Sequence, residues 1–507
     1  MTVVLSSPAA PGPAPPGLPP EILAALAGGR PEEADRLAVS ALARSPADPA
    51  LLNLLGVIRI ARGVPQEARR PLAQAEALAP HAAPPALNLA LIFLSAGAEE
   101  PALRWARRAR LLDPSLPDAH ATEASAERAN DNLDRAEHAL RRAIGQAPSN
   151  ADFLANAGNL RFDREELAEA RRFFRRALAV LPSSGNPRFQ LACLDLCEGN
   201  LARGWREYEA RFIPVALTRR RPFPQPEWQG QDLPAGALLV WGEQGLGDEL
   251  VFSTLLVDVL ERVPGIVVEC DPRLVAPLAR SVPRLAAYPR QTPPHPALLS
   301  PAITHQIALG SLPRLLRPTP ASFDRRRTTL RPDPARVAAS RAWLAGLGDG
   351  LKVGIAWRSG RKNAAARRIH TQLAEWEPIL RTPGVVFVSL QYDDCADELD
   401  EARRRFGVRL HQHPDLDLFG DVDGALACSS LLDLAISTGT TSYAFPAIAG
   451  IETWMLTTVV DYLAMGERRY PWYPRTRCFV RPAGGDWRST IAGTAEALRA
   501  RTMGTPA

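Results

Sequence analysis

Three short stretches carry residue types suited to chemistry. The first is GEQGLGD at 242–248. Gly245 and Gly247 permit a tight turn and a close backbone approach to a ligand. Asp248 stands where an apolar helical pattern, ELVFSTLLVDVLERV, begins. Two readings of it are open: a carboxylate capping helix amides, or a general base or substrate anchor. The stretch lacks the GK[ST] of a P-loop and is not a GxGxxG fingerprint. The second stretch is WRSGRKNAAARR at 357–368, with five cations at Arg358, Arg361, Lys362, Arg367 and Arg368. Forked arginines and a point-charge ammonium suit a diphosphate. A solvated basic loop is the plainer alternative, because Lys352 and Lys362 are the only lysines among 60 basic residues and arginine is abundant everywhere. The third is STGTTS at 437–442. Hydroxyls and free amides ahead of a helix make an anion site, or simply cap the helix.

All three follow predicted strands. An apolar run at Ala237–Trp241 precedes the first, LKVGIAW at 351–357 the second and LDLAIST at 432–438 the third. Further strands are expected at 265–270, 385–390, 408–411 and 454–457. Helices are expected near 272–281, 372–381, 395–406, 422–428 and 488–502. Alternating strands and helices predict parallel sheets with crossover helices. The Pro-rich stretch 290–335 reads as irregular and divides the pattern into two halves. Such sheets bind ligands beyond the carboxyl ends of their strands, so one cleft can collect the three stretches.

The first 218 residues follow another rule. Prolines recur at Pro46, Pro80, Pro114, Pro148 and Pro182, each 34 apart. Small residues keep the same period at Gly56, Ala90, Ala124, Gly158 and Ala192. They do so again at Ala68, Ala102, Ala136, Ala170 and Gly204, and at Ala75, Ala109, Ala143 and Ala177. A pair of antiparallel helices per period explains this: small residues sit at close crossings, and proline stops the second helix. Single pairs cannot bury their apolar face, so neighbours stack. Full units are read at 49–82, 83–116, 117–150, 151–184 and 185–218, with a partial unit at about 20–48. Arg211 breaks the third series, which fits a capping unit or a join to the next domain. These positions resemble the tetratricopeptide family.

Bulk properties narrow the function classes. The chain has 507 residues, 46% of them hydrophobic, with a net charge of +5. Its basic runs at 219–221, 325–327 and 403–405 carry no interleaved aromatics, so no nucleic-acid partner is expected. No apolar stretch reaches membrane-spanning length. Residues 1–19 read as a disordered Pro/Ala leader and not a signal peptide, giving a cytoplasmic expectation. Six cysteines without metal-ligand spacing read as reduced, buried thiols. No DxD-type carboxylate pair accompanies the three stretches, and no metal or cofactor is expected.

LLVWGEQGLGDEL, VGIAWRSG, SLQYDD, LDLAISTGTTSYAFPAIAG and RYPWYP…GDW together resemble the bacterial tetratricopeptide-repeat glycosyltransferases. Their catalytic half is related to heptosyltransferases and, more distantly, to O-GlcNAc transferase. The similarity spans about 225–500. It implies a GT-B pair of Rossmann-like domains after the solenoid: leader 1–19, solenoid 20–218, linker 219–236, acceptor-side domain 237–335, and donor-side domain 350–507. It implies an enzyme moving sugar from a nucleotide sugar to an acceptor, here a protein recruited by the solenoid. Asp248 matches the family's candidate base. Arg358 or Lys362 matches its phosphate contact. Gly245, Gly247, Gln391, Thr438, Gly439, Thr440, Thr441 and Ser442 complete the implied donor site. The family's late loop is often DTxxxH, whereas Ser437 and Ser442 replace its Asp and His here. That departure leaves a second reading, a binding scaffold with a degenerate transferase domain. A nucleotide- or phosphate-binding regulator is a third.

Overall fold

The computed structural model describes residues 18–213, 218–324, 329–360 and 364–504. It divides into two compact units, the second beginning at Phe189. The first is a helical-repeat solenoid. Its helices are α1 (Pro20–Ala27), α2 (Pro31–Arg44), α3 (Pro49–Ala61), α4 (Pro65–Leu78), α5 (Ala83–Ser95), α6 (Glu99–Leu112), α7 (Pro117–Ala129), α8 (Leu133–Gln146), α9 (Ala151–Asp163) and α10 (Leu167–Val180). Proline occupies the first turn of several of them, where its missing N–H costs nothing. Asp48 and Asn150 cap α3 and α9 through their side chains.

The small residues lie at the crossings. A Cβ built on Gly158 of α9 would stand 2.5 Å from the Phe174 ring on α10, and one on Gly56 of α3 would stand 2.4 Å from Leu72 on α4. Ala68, Ala102, Ala136 and Ala170 are all buried. The period therefore reports backbone approach, with a larger side chain across each small one.

The division between the units falls within α11 (Gly185–Cys197). The rest of α11 and α12 (Leu201–Glu207) pack into the second unit. Trp205 lies edge-on to Phe252 and to Trp472 at centroid distances of 6.1 and 5.8 Å. Arg211 is wholly buried there, bonded to Glu209 at 2.8 Å, Glu243 at 3.0 Å and Ser311 at 2.8 Å. The residue that breaks the small-residue series is thus an internal cation of the α/β unit.

That unit holds two parallel sheets. The first runs β3-β2-β1-β4, from β1 (Ala237–Trp241), β2 (Ile266–Cys270), β3 (Leu285–Pro289) and β4 (Ile303–Ala308). The second runs β10-β9-β8-β5-β6-β7, from β5 (Leu351–Ala356), β6 (Val385–Ser389), β7 (Leu410–His411), β8 (Leu434–Thr438), β9 (Thr453–Thr457) and β10 (Thr476–Val480). Their central strands are mostly apolar and buried, as strands covered on both faces are, with Glu269, Ser437 and Thr438 as buried polar exceptions. Gly354 in β5 makes room for its cover, since a Cβ there would meet Leu432 at 2.5 Å.

The stretch 290–335 is not wholly irregular: it supplies β4, which pairs beside β1. β3 and β10 were likewise not anticipated. LAAYP, ITHQIA and TRCFV alternate weakly, and only the neighbouring strand makes them strands. Described residues of the 219–236 segment lie along the first sheet, with Glu227 bridging Gln306 and Trp228 buried. All six cysteines are buried, and none of them forms a disulfide. Among the described residues, no helix is long and apolar enough to cross a membrane. The leader lies almost entirely outside the described residues, as does the basic run 325–327.

Candidate functional site

β1 ends at Trp241, and the chain turns through GEQGLGD into helix α13 (Leu246–Ser253). Gly245 is the N-cap and Asp248 the third helical residue, so Asp248 does not occupy the capping position. Thr440 is the N-cap of the helix Thr441–Ile448, which follows β8. The two helix starts meet. A Cβ on Gly247 would stand 3.2 Å from Thr441 Oγ1 and 3.8 Å from its Cα. Glycine at 247 is what lets the turn of the first sheet approach the turn of the second so closely.

Asp248 is half-buried in a place rich in negative charge. Burial, then the nearby Glu243 and Asp461, push its carboxyl up to about 6; the Gly245 amide and its own amide oppose the shift. Glu243 is held by Arg211 and by the Gly310 amide at 3.2 Å. Asp461 accepts from Thr457 Oγ1 at 2.8 Å and from the amides of Leu463 and Ala464. Gln244 Nε2 donates to Tyr208 OH at 2.7 Å, and that hydroxyl lies 3.2 Å from Tyr462 OH. A second buried pair joins Tyr443 OH and Tyr470 OH at 2.8 Å. Burial also raises Glu249, the next residue, to about 7, while the Asp271 amide and Arg290 pull the other way. It braces the turn through those two partners.

The STGTTS turn is short of partners. Ser437 Oγ donates to its neighbour's carbonyl at 2.8 Å, and Ser442 Oγ to Leu390 O at 3.2 Å. The hydroxyls of Thr438 and Thr440, both buried, have no hydrogen-bond partner, and neither does the Gln244 amide oxygen. Thr440 does not use its side chain to cap. Buried polar atoms are nearly always paired, so three unpaired ones around two adjoining turns mark a place for polar ligand atoms.

The second stretch behaves differently. Arg358 donates to both Asp393 and Glu398, the Nε–Oε2 distance being 3.1 Å. Its charge is already matched by two carboxylates. Gln391 is spent on the backbone: its Oε1 accepts from the Trp357 and Arg358 amides at 3.3 and 3.4 Å, and its Nε2 donates to Arg358 O and Asp393. Lys362 lies outside the described residues. A cavity of about 550 Å³ opens beside Arg358, walled by Thr371, Glu375, Cys395, Glu398 and Trp487. It does not extend to Asp248 or to the STGTTS turn. The structure therefore brings Gly245, Gly247, Asp248, Thr438, Gly439, Thr440 and Thr441 toward one place, and sets Arg358 and Gln391 in a separate, internally satisfied cluster.

Sequence reasoning missed Glu243, Gln244, Asp461, Tyr208 and Tyr462. The first two lie inside GEQGLGD and were legible as polar turn residues. The others come from segments with no local signal. No group of three or more His, Cys, Asp or Glu side chains among the described residues is arranged to hold a metal.

A helical-repeat solenoid followed by two parallel α/β sheets, with a carboxylate where their turns adjoin, is the class of molecule defined here. No family model matches the chain. It is 35% identical over 367 residues to "Protein FlbA" of Caulobacter vibrioides, a match covering 69% of this chain and 62% of that protein. The chain thus spans less than two thirds of that relative's length. Over the repeats it is similar to TTC0263, a thermophilic TPR protein of Thermus thermophilus, at 20% identity and a TM-score of 0.33, covering 35% of this chain and 96% of that one. YrrB, a TPR protein with an unusual peptide-binding site, matches at 18% identity and a TM-score of 0.27, covering 32% of this chain and 83% of that one.

Proposed function

We propose that the chain is a nucleotide-sugar-dependent glycosyltransferase whose repeat solenoid recruits a protein acceptor. The carrying observation is the meeting of the Asp248 turn with the Thr438–Ser442 turn, where burial pushes the Asp248 carboxyl up to about 6 and three buried polar atoms lack partners. Asp248 takes the proton from the acceptor hydroxyl as it attacks the anomeric carbon. A base with a pKa near 6 is largely ionised at neutral pH yet basic enough to accept that proton. The hydroxyls of Thr438 and Thr440 donate to the nucleotide, and amides at the start of the helix Thr441–Ile448 face its phosphates. The sugar–phosphate bond breaks and the nucleoside diphosphate leaves.

The second reading, a scaffold with a degenerate transferase domain, draws on one observation. Arg358 is neutralised by Asp393 and Glu398, so the basic loop does not offer it as a free phosphate ligand. A panel of nucleotide sugars, each assayed for binding by calorimetry and for transfer to a lysate acceptor pool, decides between the two. Binding with transfer supports the enzyme. Absence of nucleotide-sugar binding across the panel overturns it and leaves the scaffold.

A further inference from the structure

One repeat departs from the solenoid's interior pattern. Stepping by 34 residues, Leu52, Ala86 and Leu154 occupy one buried position, and Leu55, Leu89 and Ala157 another. In the unit that begins at Pro117 these positions hold His120 and Glu123. Both remain buried, at 2% and 8% exposure, and Glu127 one turn on is 2% exposed. Apolar seam residues have been exchanged for ionisable ones without being moved to the surface. A solenoid that stacks by burying apolar faces gains no stability from such an exchange.

The exchange opens a cavity of about 520 Å³, floored by α7 and flanked by α6 and α8. That volume lies in the range of small-molecule sites. Glu127 and Glu123 are matched by Arg107 at 2.7 Å and Arg110 at 2.5 Å. His120 Nε2 lies 2.9 Å from the Pro114 carbonyl, so that nitrogen carries the proton. In the neutral ring Nδ1 is then an acceptor, and it is buried without a partner. On α8, Arg135, His138 and Arg142 share one face at spacings of three and four, all exposed and all lining the cavity. Asp134, the remaining acidic group in the lining, is drawn 2.6 Å to Arg164. The cavity thus has an unfilled acceptor at depth and cations at its mouth.

We propose that this seam binds a small hydroxylated oxyanion, such as a sugar phosphate or sugar acid, with its anionic group on Arg135 and Arg142 and a hydroxyl donating to His120 Nδ1. Guanidinium forks suit the planar or tetrahedral oxygens of either group. The buried acceptor selects a ligand that also carries a donor. This site is independent of the transferase reading, since it involves solenoid residues alone.

Calorimetry on the full chain tests it with glucose 6-phosphate, gluconate and, as an oxyanion without a donor, sulfate. Binding of glucose 6-phosphate or gluconate is expected, at least tenfold tighter than sulfate, and the stronger of the two identifies the anionic group. The double substitution Arg135→Ala, Arg142→Ala is expected to weaken it at least tenfold. His120→Leu, which restores the residue found at the equivalent positions 52 and 154, is expected to weaken it as much while raising the unfolding temperature. The proposal is overturned if neither organic probe binds at millimolar concentration, if sulfate binds equally well, or if His120→Leu folds and leaves affinity unchanged. Should His120→Leu not fold, the exposed arginine pair still decides, because unchanged affinity in that variant places any binding elsewhere.

Discussion

The solenoid and the α/β unit both bury apolar cores, but their contacts reach over very different distances in sequence. In the solenoid, contact partners are about one helix or one repeat apart, and the interior is mostly apolar. Gly158 meets Phe174 only sixteen positions on, and the same geometry recurs between Gly56 and Leu72. The α/β unit also buries an apolar core, but a polar network within it joins segments far apart in sequence. Arg211, Glu243 and Ser311 converge from three segments, and Tyr208 reaches Tyr462 across 254 positions. An apolar interior tolerates variation that keeps volume, whereas a buried polar network holds only while every partner is present. A region built the second way without an evident gain in stability points to function.

The sharpest way to break this contrast is Asp248→Asn. It should lower sugar transfer by about 10²–10⁴-fold while nucleotide-sugar binding persists. Loss of transfer only in proportion to unfolded protein, read by circular dichroism beside the assay, would make Asp248 a structural residue. Wild-type kcat/KM should rise with pH through about 6, as the carboxyl ionises.

Arg211→Met comes next. It strands Glu243 and Glu209 without their cation, and removing one partner of a buried pair costs about 3–5 kcal/mol. Denaturant unfolding of the α/β unit should register that loss, and a change below about 1 kcal/mol would show that the network is not interdependent. In the solenoid, Gly158→Val should cost about 1–3 kcal/mol by overpacking against Phe174. Unchanged thermal unfolding would mean the helices separate freely at that crossing.

Stability should also fall with rising pH. Asp248 moves from 3.8 to about 6 and Glu249 from 4.5 to about 7 on folding. Both are raised, so protonation favours the folded state. Their contribution is fully present below about pH 4 and is lost as pH climbs through the folded values. Each group contributes a slope of at most about 1.4 kcal/mol per pH unit. Asp248→Asn should flatten its share, which urea titrations at several pH values would measure. The smallest effect belongs to Thr438→Val and Thr440→Val. Deleting a hydroxyl that has no partner should leave stability unchanged or raise it by up to about 1 kcal/mol, while nucleotide affinity drops. A clear loss of stability would show that those hydroxyls are bonded in solution.

Much of this was written in spacing. Four series with a period of 34 located the helix pairs, their crossings and their proline stops, because neighbours in a solenoid are neighbours in sequence. The strands before GEQGLGD, WRSGRKN and STGTTS were legible as apolar runs, and the terminal helix 488–502 fell where its pattern placed it. β3, β4 and β10 were not, since their sequences become strands only by pairing with a stronger neighbour.

The candidate site divides along the same line. Sequence alone determined that Asp248 lies in the first turn of a helix that follows a glycine turn, and that STGTTS precedes another. Tertiary structure decided that Gly247 lies against Thr441, that Glu243 and Asp461 raise Asp248, and that Thr438 and Thr440 are left without partners. It also decided that Arg358, a candidate by type and position, is matched by Asp393 and Glu398. Residue type fixes what a group can donate, accept or ionise. Whether it is free to do so depends on what the rest of the chain brings within hydrogen-bond reach, and that is set by packing between segments far apart in sequence.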